Sequence, residues 1–468
     1  MEVGGAMIDQ AAYADALAEI EARYPVEQWL VEDLQAWPLL RVAALFAAIS
    51  AAQPAARGAR AQRALAACRP APWLPRQRCA ALLFGDGVSF VREADGWWRD
   101  RLLHPVCRGL QRLQRRWVML QPGSPRPLAT ACGWAEGALL RACLRPPPIS
   151  FVSLPAYREV AARLARVLAR CPEERWLVAL AARVLAARRW FSAVLEQVRP
   201  RAVFLVSYYH VYGWGLIAAA RRQAIPSIDL QHGVQGRCNP AYAPCRRVPP
   251  GGYAVLPDHC WVWSEREAAA LAAWATPGPR ATVIGCPWID EALSASPAPP
   301  PAPRRRVLVT LQHGLGEADY EERLRAALAA LRSTDCELLV RAHPATPRAQ
   351  LAALADRLQH PLRDPALPLW SELSGCAVHL THSSSTVLEA ELLGIPSIAL
   401  SPLAAALYPE ALASGALEIV SDLAALPARV RDLAARPAPL SPAARQAAAR
   451  QRQARFLAAL AAITEGGG

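Results

Sequence analysis

Short apolar runs alternate with amphipathic stretches along most of this chain. In the C-terminal part, residues 307–310, 337–340, 377–380 and 397–400 are apolar runs of strand length. Helical periodicity fills 318–331, 349–358 and 387–393 between them. Buried strands separated by amphipathic helices are the signature of βαβ units, which make a parallel sheet with helices on both faces. The N-terminal part repeats the theme less regularly. Its expected strands are 80–84, 117–120, 202–206, 227–230, 261–263 and 282–284, with helices at 159–168, 175–189 and 216–223. Residues 1–70 are Ala-rich and read as helical. Residues 442–463 form a long Ala/Arg helix before a glycine tail.

The clearest boundary is the Pro/Ala run at 294–306, which can continue neither a helix nor a central strand. The expected organisation is therefore a helical region (1–70), a Rossmann-like domain (71–293), the linker (294–306), a second Rossmann-like domain (307–440), and a C-terminal helix with its tail (441–468). In open parallel sheets, ligands bind beyond the carboxyl ends of the strands. Two such sheets facing each other would enclose a cleft.

Composition narrows the function classes. With 53% hydrophobic and 19% charged residues, the chain can bury a core, so disorder is excluded as its main state. The apolar run 42–52 is too short to cross a bilayer. No basic segment, apolar stretch and cleavage site open the chain, so a cytoplasmic protein is expected. The net charge of +13 comes entirely from arginine, since the sequence has no lysine. The arginines are spread evenly and no nucleic-acid motif accompanies them, which points away from nucleic acid. It points instead to an anionic membrane surface or a phosphorylated substrate. The twelve cysteines contain no C-x-x-C pair, so no zinc site is expected. They read as small core residues, Cys336 and Cys376 among them.

Seven of nine histidines fall at or near expected strand ends: His210, His232, His259, His313, His343, His379 and His382. Thr381-His382-Ser383-Ser384-Ser385-Thr386 precedes Glu389, Gly394 and Pro396. Small hydroxylated residues between a strand and a helix offer hydroxyls and backbone N–H groups to a phosphate. Thr386 with Glu389 also reads as a capping box, and Gly394 as a helix-ending glycine. Arg341-Ala342-His343-Pro344 places two cationic donors at a strand exit, where they suit a diphosphate or an ordinary surface turn. Asp229-Leu230-Gln231-His232-Gly233 follows Ser207-Tyr208-Tyr209-His210. A histidine before glycine at a strand end suits general-base work or a hydrogen-bonded core position. Gly85-Asp86-Gly87 offers one carboxylate in a turn. Gln312 and His313 are further cleft candidates.

The Arg341–Pro344 turn, followed by the serine loop, Glu389, Gly394 and Pro396, resembles the motifs of GT-B glycosyltransferases that build bacterial surface polysaccharides. These include capsular polysialyltransferases, capsule Kdo transferases and, more distantly, CDP-glycerol glycerophosphotransferases. Tyr208-Tyr209, Gln231-His232-Gly233, Tyr242 and the segment from Val283 to Pro287 add to the likeness, which spans about residues 200 to 430. The resemblance implies a GT-B-like α/β fold and an inverting transferase that moves a sugar from a nucleotide-activated donor to a glycan or glycolipid acceptor. The C-terminal domain would hold the nucleotide and the N-terminal domain the acceptor. His343, Ser383, Ser384 and Ser385 would touch the donor phosphate, and Glu389 the ribose. No cofactor and no metal are expected, since no D-x-D motif occurs. The sialyltransferases place an acidic pair and glycine where this chain has Gln231-His232-Gly233, so either His232 is the base, or Asp86 serves, or the chemistry differs. A nucleotide-sugar 2-epimerase and a non-catalytic nucleotide-sugar-binding protein are the rival readings.

Overall fold

Strands made of consecutive apolar residues need cover on both faces, and the computed structural model of the chain provides it. The structure describes residues 9–51, 78–85, 90–92, 98–120, 145–168, 173–274, 276–295, 306–312, 320–332, 334–344, 346–436 and 441–465. Asp86, His313 and residues 296–305 of the Pro/Ala run lie outside them. The chain divides into two compact units. One comprises Ile8–Ser89, Asp100–Pro287 and Ala454–Gly468, and the other Met1–Met7, Phe90–Arg99 and Trp288–Gln453.

The first unit holds a six-stranded parallel sheet. Its spatial order is Trp117–Leu120, Cys79–Phe84, Pro200–Val206, Ser227–Leu230, His259–Val262, Arg280–Val283. Every position of Cys79–Phe84 and Ser227–Leu230 is buried, as a central strand covered on both faces requires. The 25-residue helix Glu174–Val198 packs against Val211–Arg222. A Cβ on Gly215 would lie 2.5 Å from the Ala187 Cβ, so glycine sets the spacing of these two helices. Phe456, in the helix Pro442–Glu465, meets Trp261 edge-on at 6.0 Å.

The N-terminal region belongs to this unit. Asp9 caps the helix Gln10–Arg23 by accepting from the amides of Ala11 and Ala12. The expectation of an all-helical 1–70 needs correction. After that helix, Leu30–Val31 pairs antiparallel with Leu34–Gln35 and with Val152–Ser153 before Trp37–Ala51 resumes the helix. Glu32 turns this ribbon at φ +54°, a conformation that sequence pattern signals only when glycine or asparagine occupies it. Glu21 and Arg41 form a buried ion pair at 3.3 Å. Arg41 also donates to the carbonyls of Ala243 and Pro244. Glu21 accepts from the Trp37 indole and the Arg246 amide. The two helices are thus fastened to the loop that carries Tyr242.

The second unit holds the other six-stranded parallel sheet. Its order is Leu362–Arg363, Glu337–Arg341, Arg306–Thr310, Val378–Thr381, Ser397–Ala399, Leu417–Ile419. In chain order this is 3-2-1-4-5-6, the Rossmann arrangement. Two histidine placements differ from expectation. His259 opens its strand rather than ending it. His379 lies inside the sheet, between Thr310 Oγ1 at 2.8 Å and Ser397 Oγ at 2.9 Å. The eight described cysteines are free thiols. Seven are buried, but Cys336 is half-exposed because it lies in the turn before its strand.

Burial pushes the His379 imidazolium down to about 3. The unfolded chain binds a proton there near pH 6.5 while the folded chain stays neutral. Between pH 6.5 and 3 the unfolded state therefore holds more protons, and stability falls as pH falls. Denaturant unfolding at pH 7.5 and pH 5.0 should show about 2 kcal/mol of acid-dependent loss from this group. His379→Asn should remove that part of the loss.

Candidate functional site

In the second unit the strand order reverses between Arg306–Thr310 and Val378–Thr381. In open α/β sheets such a reversal opens a crevice at the carboxyl ends of the two strands. Gln312 and the serine loop stand there. Gln312 Oε1 accepts from the Ser383 amide at 2.8 Å and from Ser383 Oγ at 3.3 Å. The Gln312 amide donates to the Tyr320 hydroxyl, whose ring meets His382 edge-on at 5.1 Å. Tyr408 donates to the Ser383 carbonyl from below the loop. One strand outward, half-buried His343 follows Glu337–Arg341, and its carbonyl accepts from the Thr346 amide. Register pairs Thr310 with both Arg341 and Thr381, so these exits are neighbours.

The serine loop ends differently from the capping box expected of it. Thr386 is already the first residue of the helix Thr386–Leu392, and Ser384 Oγ accepts its amide at 3.3 Å. Ser384 Oγ also lies 3.0 Å from Thr386 Oγ1. Ser384 and Ser385 are half-buried, Ser383 and Thr386 buried, and Glu389 is 2% exposed in the first helical turn. Gly394 follows the helix at φ +69°, as a helix-ending glycine should. Arg341 is turned inward. Its guanidinium pairs with Glu372 and donates to the carbonyls of Pro365 and Leu367, which holds the segment after Leu362–Arg363.

The first unit has order 2-1-3-4-5-6, with its reversal between Cys79–Phe84 and Pro200–Val206. The exits there are Gly85 and the segment from Ser207 to His210. His232 is brought to the same edge. Its Nε2 lies 3.0 Å from the Tyr209 hydroxyl and 3.1 Å from Ser207 Oγ. Ser207 holds φ at +55°, a conformation that costs a serine about 1–3 kcal/mol and that clusters at functional sites. His210 caps the helix Val211–Arg222, its Nδ1 accepting from the Gly213 amide at 3.2 Å. A Cβ on Gly213 would sit 2.3 Å from the Tyr208 carbonyl oxygen, so only glycine lets this helix start so close to the strand exit. Gln231 is 1% exposed and ties neighbouring exits together. Its side chain accepts from the Trp263 amide and donates to the Gly233 carbonyl.

Sequence pattern assigns Asp229 no chemistry, yet it organises this edge. It is fully buried and accepts from the Tyr242 hydroxyl at 2.6 Å and the Tyr208 amide at 3.2 Å. Burial pushes its carboxyl up to about 7, against the lowering effect of those two bonds. Tyr242 in turn meets the rings of Tyr208, Tyr209 and His232 at 5.8, 5.9 and 6.3 Å. A lone aspartate inside an apolar strand was the available signal.

Two surface concavities of the first unit lie elsewhere. One is lined by Ile149, Val152, Val178 and Ala182, the other by Arg221, Tyr253, Asp258 and Arg280. Among the described residues no group of three or more His, Cys, Asp or Glu is placed to hold a metal ion. No described helix is long and apolar enough to cross a membrane.

No family model and no curated protein matches the chain. Solved structures resemble it at low identity. The S. aureus MnaA–UDP co-structure is 12% identical, covers 80% of this chain and 90% of its own, and gives a TM-score of 0.47. UDP-GlcNAc 2-epimerase from Neisseria meningitidis bound to UDP-GlcNAc is 15% identical over 81% and 99%, with a TM-score of 0.46. Spinosyn rhamnosyltransferase SpnG complexed with thymidine diphosphate is 16% identical over 83% and 100%, at 0.46. The likeness is one of α/β architecture and carries no site residue across.

Proposed function

We propose that this chain is a nucleotide-sugar-dependent glycosyltransferase that builds a surface polysaccharide or glycolipid. One observation carries the reading. The strand-order reversal of the second unit falls where Gln312 and Ser383 meet, with His343 at the next exit. That is where a Rossmann sheet receives a nucleotide. The hydroxyls of Ser384 and Ser385 and the imidazole of His343 are the groups assigned to the donor phosphate. They would stabilise the charge that develops on it as the glycosidic bond breaks. His232 takes the proton of the acceptor hydroxyl as its oxygen bonds to the anomeric carbon and the nucleotide leaves from the opposite face, a single displacement that inverts that carbon. The surface-glycan acceptor rests on the sequence resemblance. The net charge of +13 suits work beside an anionic membrane.

Incubation with UDP-, CMP-, CDP-, GDP- and TDP-sugars, alone and with glycan acceptors, tests this. The expected result is release of free nucleotide in step with acceptor elongation. Isomerisation of the sugar on its intact nucleotide, without acceptor, would replace the transferase reading with the epimerase one.

A further inference from the structure

Ser207 is the first residue after the strand Pro200–Val206, and the helix Val211–Arg222 begins four residues later. Its φ of +55° puts a left-handed residue at the apex of a sharp strand-to-helix turn. Such a turn lifts a serine hydroxyl clear of the sheet edge, as in the nucleophile elbow of α/β-hydrolases. Gly213 keeps the turn tight, because any Cβ there would meet the Tyr208 carbonyl. Leu205 and Tyr209 stand where the hydrolase form of this turn carries glycine, and Tyr209 brings a hydroxyl there instead.

The groups needed for attack on a carbonyl carbon meet at one nitrogen. Ser207 Oγ lies 3.1 Å from His232 Nε2, the separation of a nucleophile from its base. The Tyr209 hydroxyl lies 3.0 Å from the same atom. Nε2 accepts one proton at a time, so while Ser207 donates to it the Tyr209 hydroxyl can donate elsewhere. The amide that follows the serine is the usual oxyanion donor of such a turn, but here Tyr208 N–H donates to Asp229 Oδ1 at 3.2 Å. The Tyr209 hydroxyl stands beside the nucleophile to take that part. All three side chains are half-buried, so a small molecule can reach them.

We infer that Ser207, His232 and Tyr209 form an acyl-transfer site whose substrate is a carboxylic ester. Ser207 Oγ bonds to the carbonyl carbon as His232 Nε2 takes its proton, and the Tyr209 hydroxyl donates to the oxyanion that forms. The bond to the leaving alcohol then breaks, and the imidazolium returns the proton to the departing oxygen. Water repeats the sequence on the acyl-serine. Its oxygen bonds to the acyl carbon while Nε2 takes its proton, which passes to Ser207 Oγ as the carboxylic acid leaves. An ester suits this set better than an amide, because an alcohol leaves more readily than an amine. The inference does not depend on the nucleotide reading, although both use His232.

Release of p-nitrophenol from p-nitrophenyl acetate, with no nucleotide present, reads the activity. A fluorophosphonate probe followed by peptide mass spectrometry locates the nucleophile. The wild-type protein should hydrolyse the ester and carry the phosphonyl group on Ser207. His232→Ala should lose turnover about 10²–10⁴-fold. Ser207→Ala should lose at least as much and take up no label. Tyr209→Phe should keep KM and lose about 10²-fold in kcat, the cost of one oxyanion donor. Ser207→Gly, unstrained at this φ, serves if alanine does not fold. The inference fails if the wild type hydrolyses the ester no faster than buffer, if the label falls on another residue, or if any of the three substitutions leaves kcat at its wild-type value. Failure of the nucleotide reading shows separately, as the absence of any melting shift with UDP, CMP, CDP, GDP or TDP.

Discussion

Replacing His232 by alanine should lower turnover by about 10²–10⁴-fold, the range a positioned general base contributes, while nucleotide affinity stays at its native value. Tyr209 and Ser207 both bring hydroxyls to Nε2. An unprotonated imidazole nitrogen has a single lone pair, so only one of them can donate to it at a time. An acceptor hydroxyl can take the place of the Ser207 hydroxyl and face the same lone pair. Asp229 supports this arrangement through Tyr242 rather than by contact with His232. His232→Gln should fare no better than alanine, since an amide cannot take the proton. Asp86→Asn is the control, and steady-state rates with saturating donor separate the two. Loss of turnover in Asp86→Asn with only weaker acceptor binding in His232→Ala would make Asp86 the base.

Arg41→Ala should destabilise the first unit by about 3–5 kcal/mol, because removing one partner of a buried ion pair leaves the other charge uncompensated. Glu21 would keep the Trp37 indole and the Arg246 amide but lose its cation, while the Ala243 and Pro244 carbonyls lose their donor. At ~2–4 °C per kcal/mol for a unit of this size, the melting transition should fall by roughly 6–20 °C. The second unit has its own core, so its transition should not move. Glu21→Met with Arg41→Met should recover part of the loss, since apolar packing often replaces a buried pair without penalty. Calorimetry that resolves two transitions reads all three results. A shift below about 1 kcal/mol in Arg41→Ala would mean that solvent reaches the pair.

The central strands were legible because burial on both faces demands unbroken apolar runs. Trp117–Leu120 and Ser227–Leu230 fall where the pattern puts them. The edge strands Leu362–Arg363 and Leu417–Ile419 were not legible, since two or three residues carry no period. Side-chain direction was the other blind spot. Arg341 has the same local sequence whether it faces a phosphate or Glu372, which lies 31 residues on. His379 and His382 sit three residues apart, yet one is locked between two strands of the sheet and the other follows the strand exit. The strand-order reversals that locate both sites depend on which strands pair, and pairing is non-local.

Titration calorimetry of UDP, CMP, CDP, GDP and TDP against the wild-type protein and His343→Ala tests the central claim most directly. The half-buried His343 side chain can be removed without opening the core, so both proteins should melt alike. One nucleotide should bind the wild type, and His343→Ala should bind it about tenfold more weakly, the loss of one charge-assisted hydrogen bond to phosphate. Equal affinity in both proteins, or no nucleotide binding by the wild type, would contradict a phosphate site shared by the exits of Arg306–Thr310, Glu337–Arg341 and Val378–Thr381.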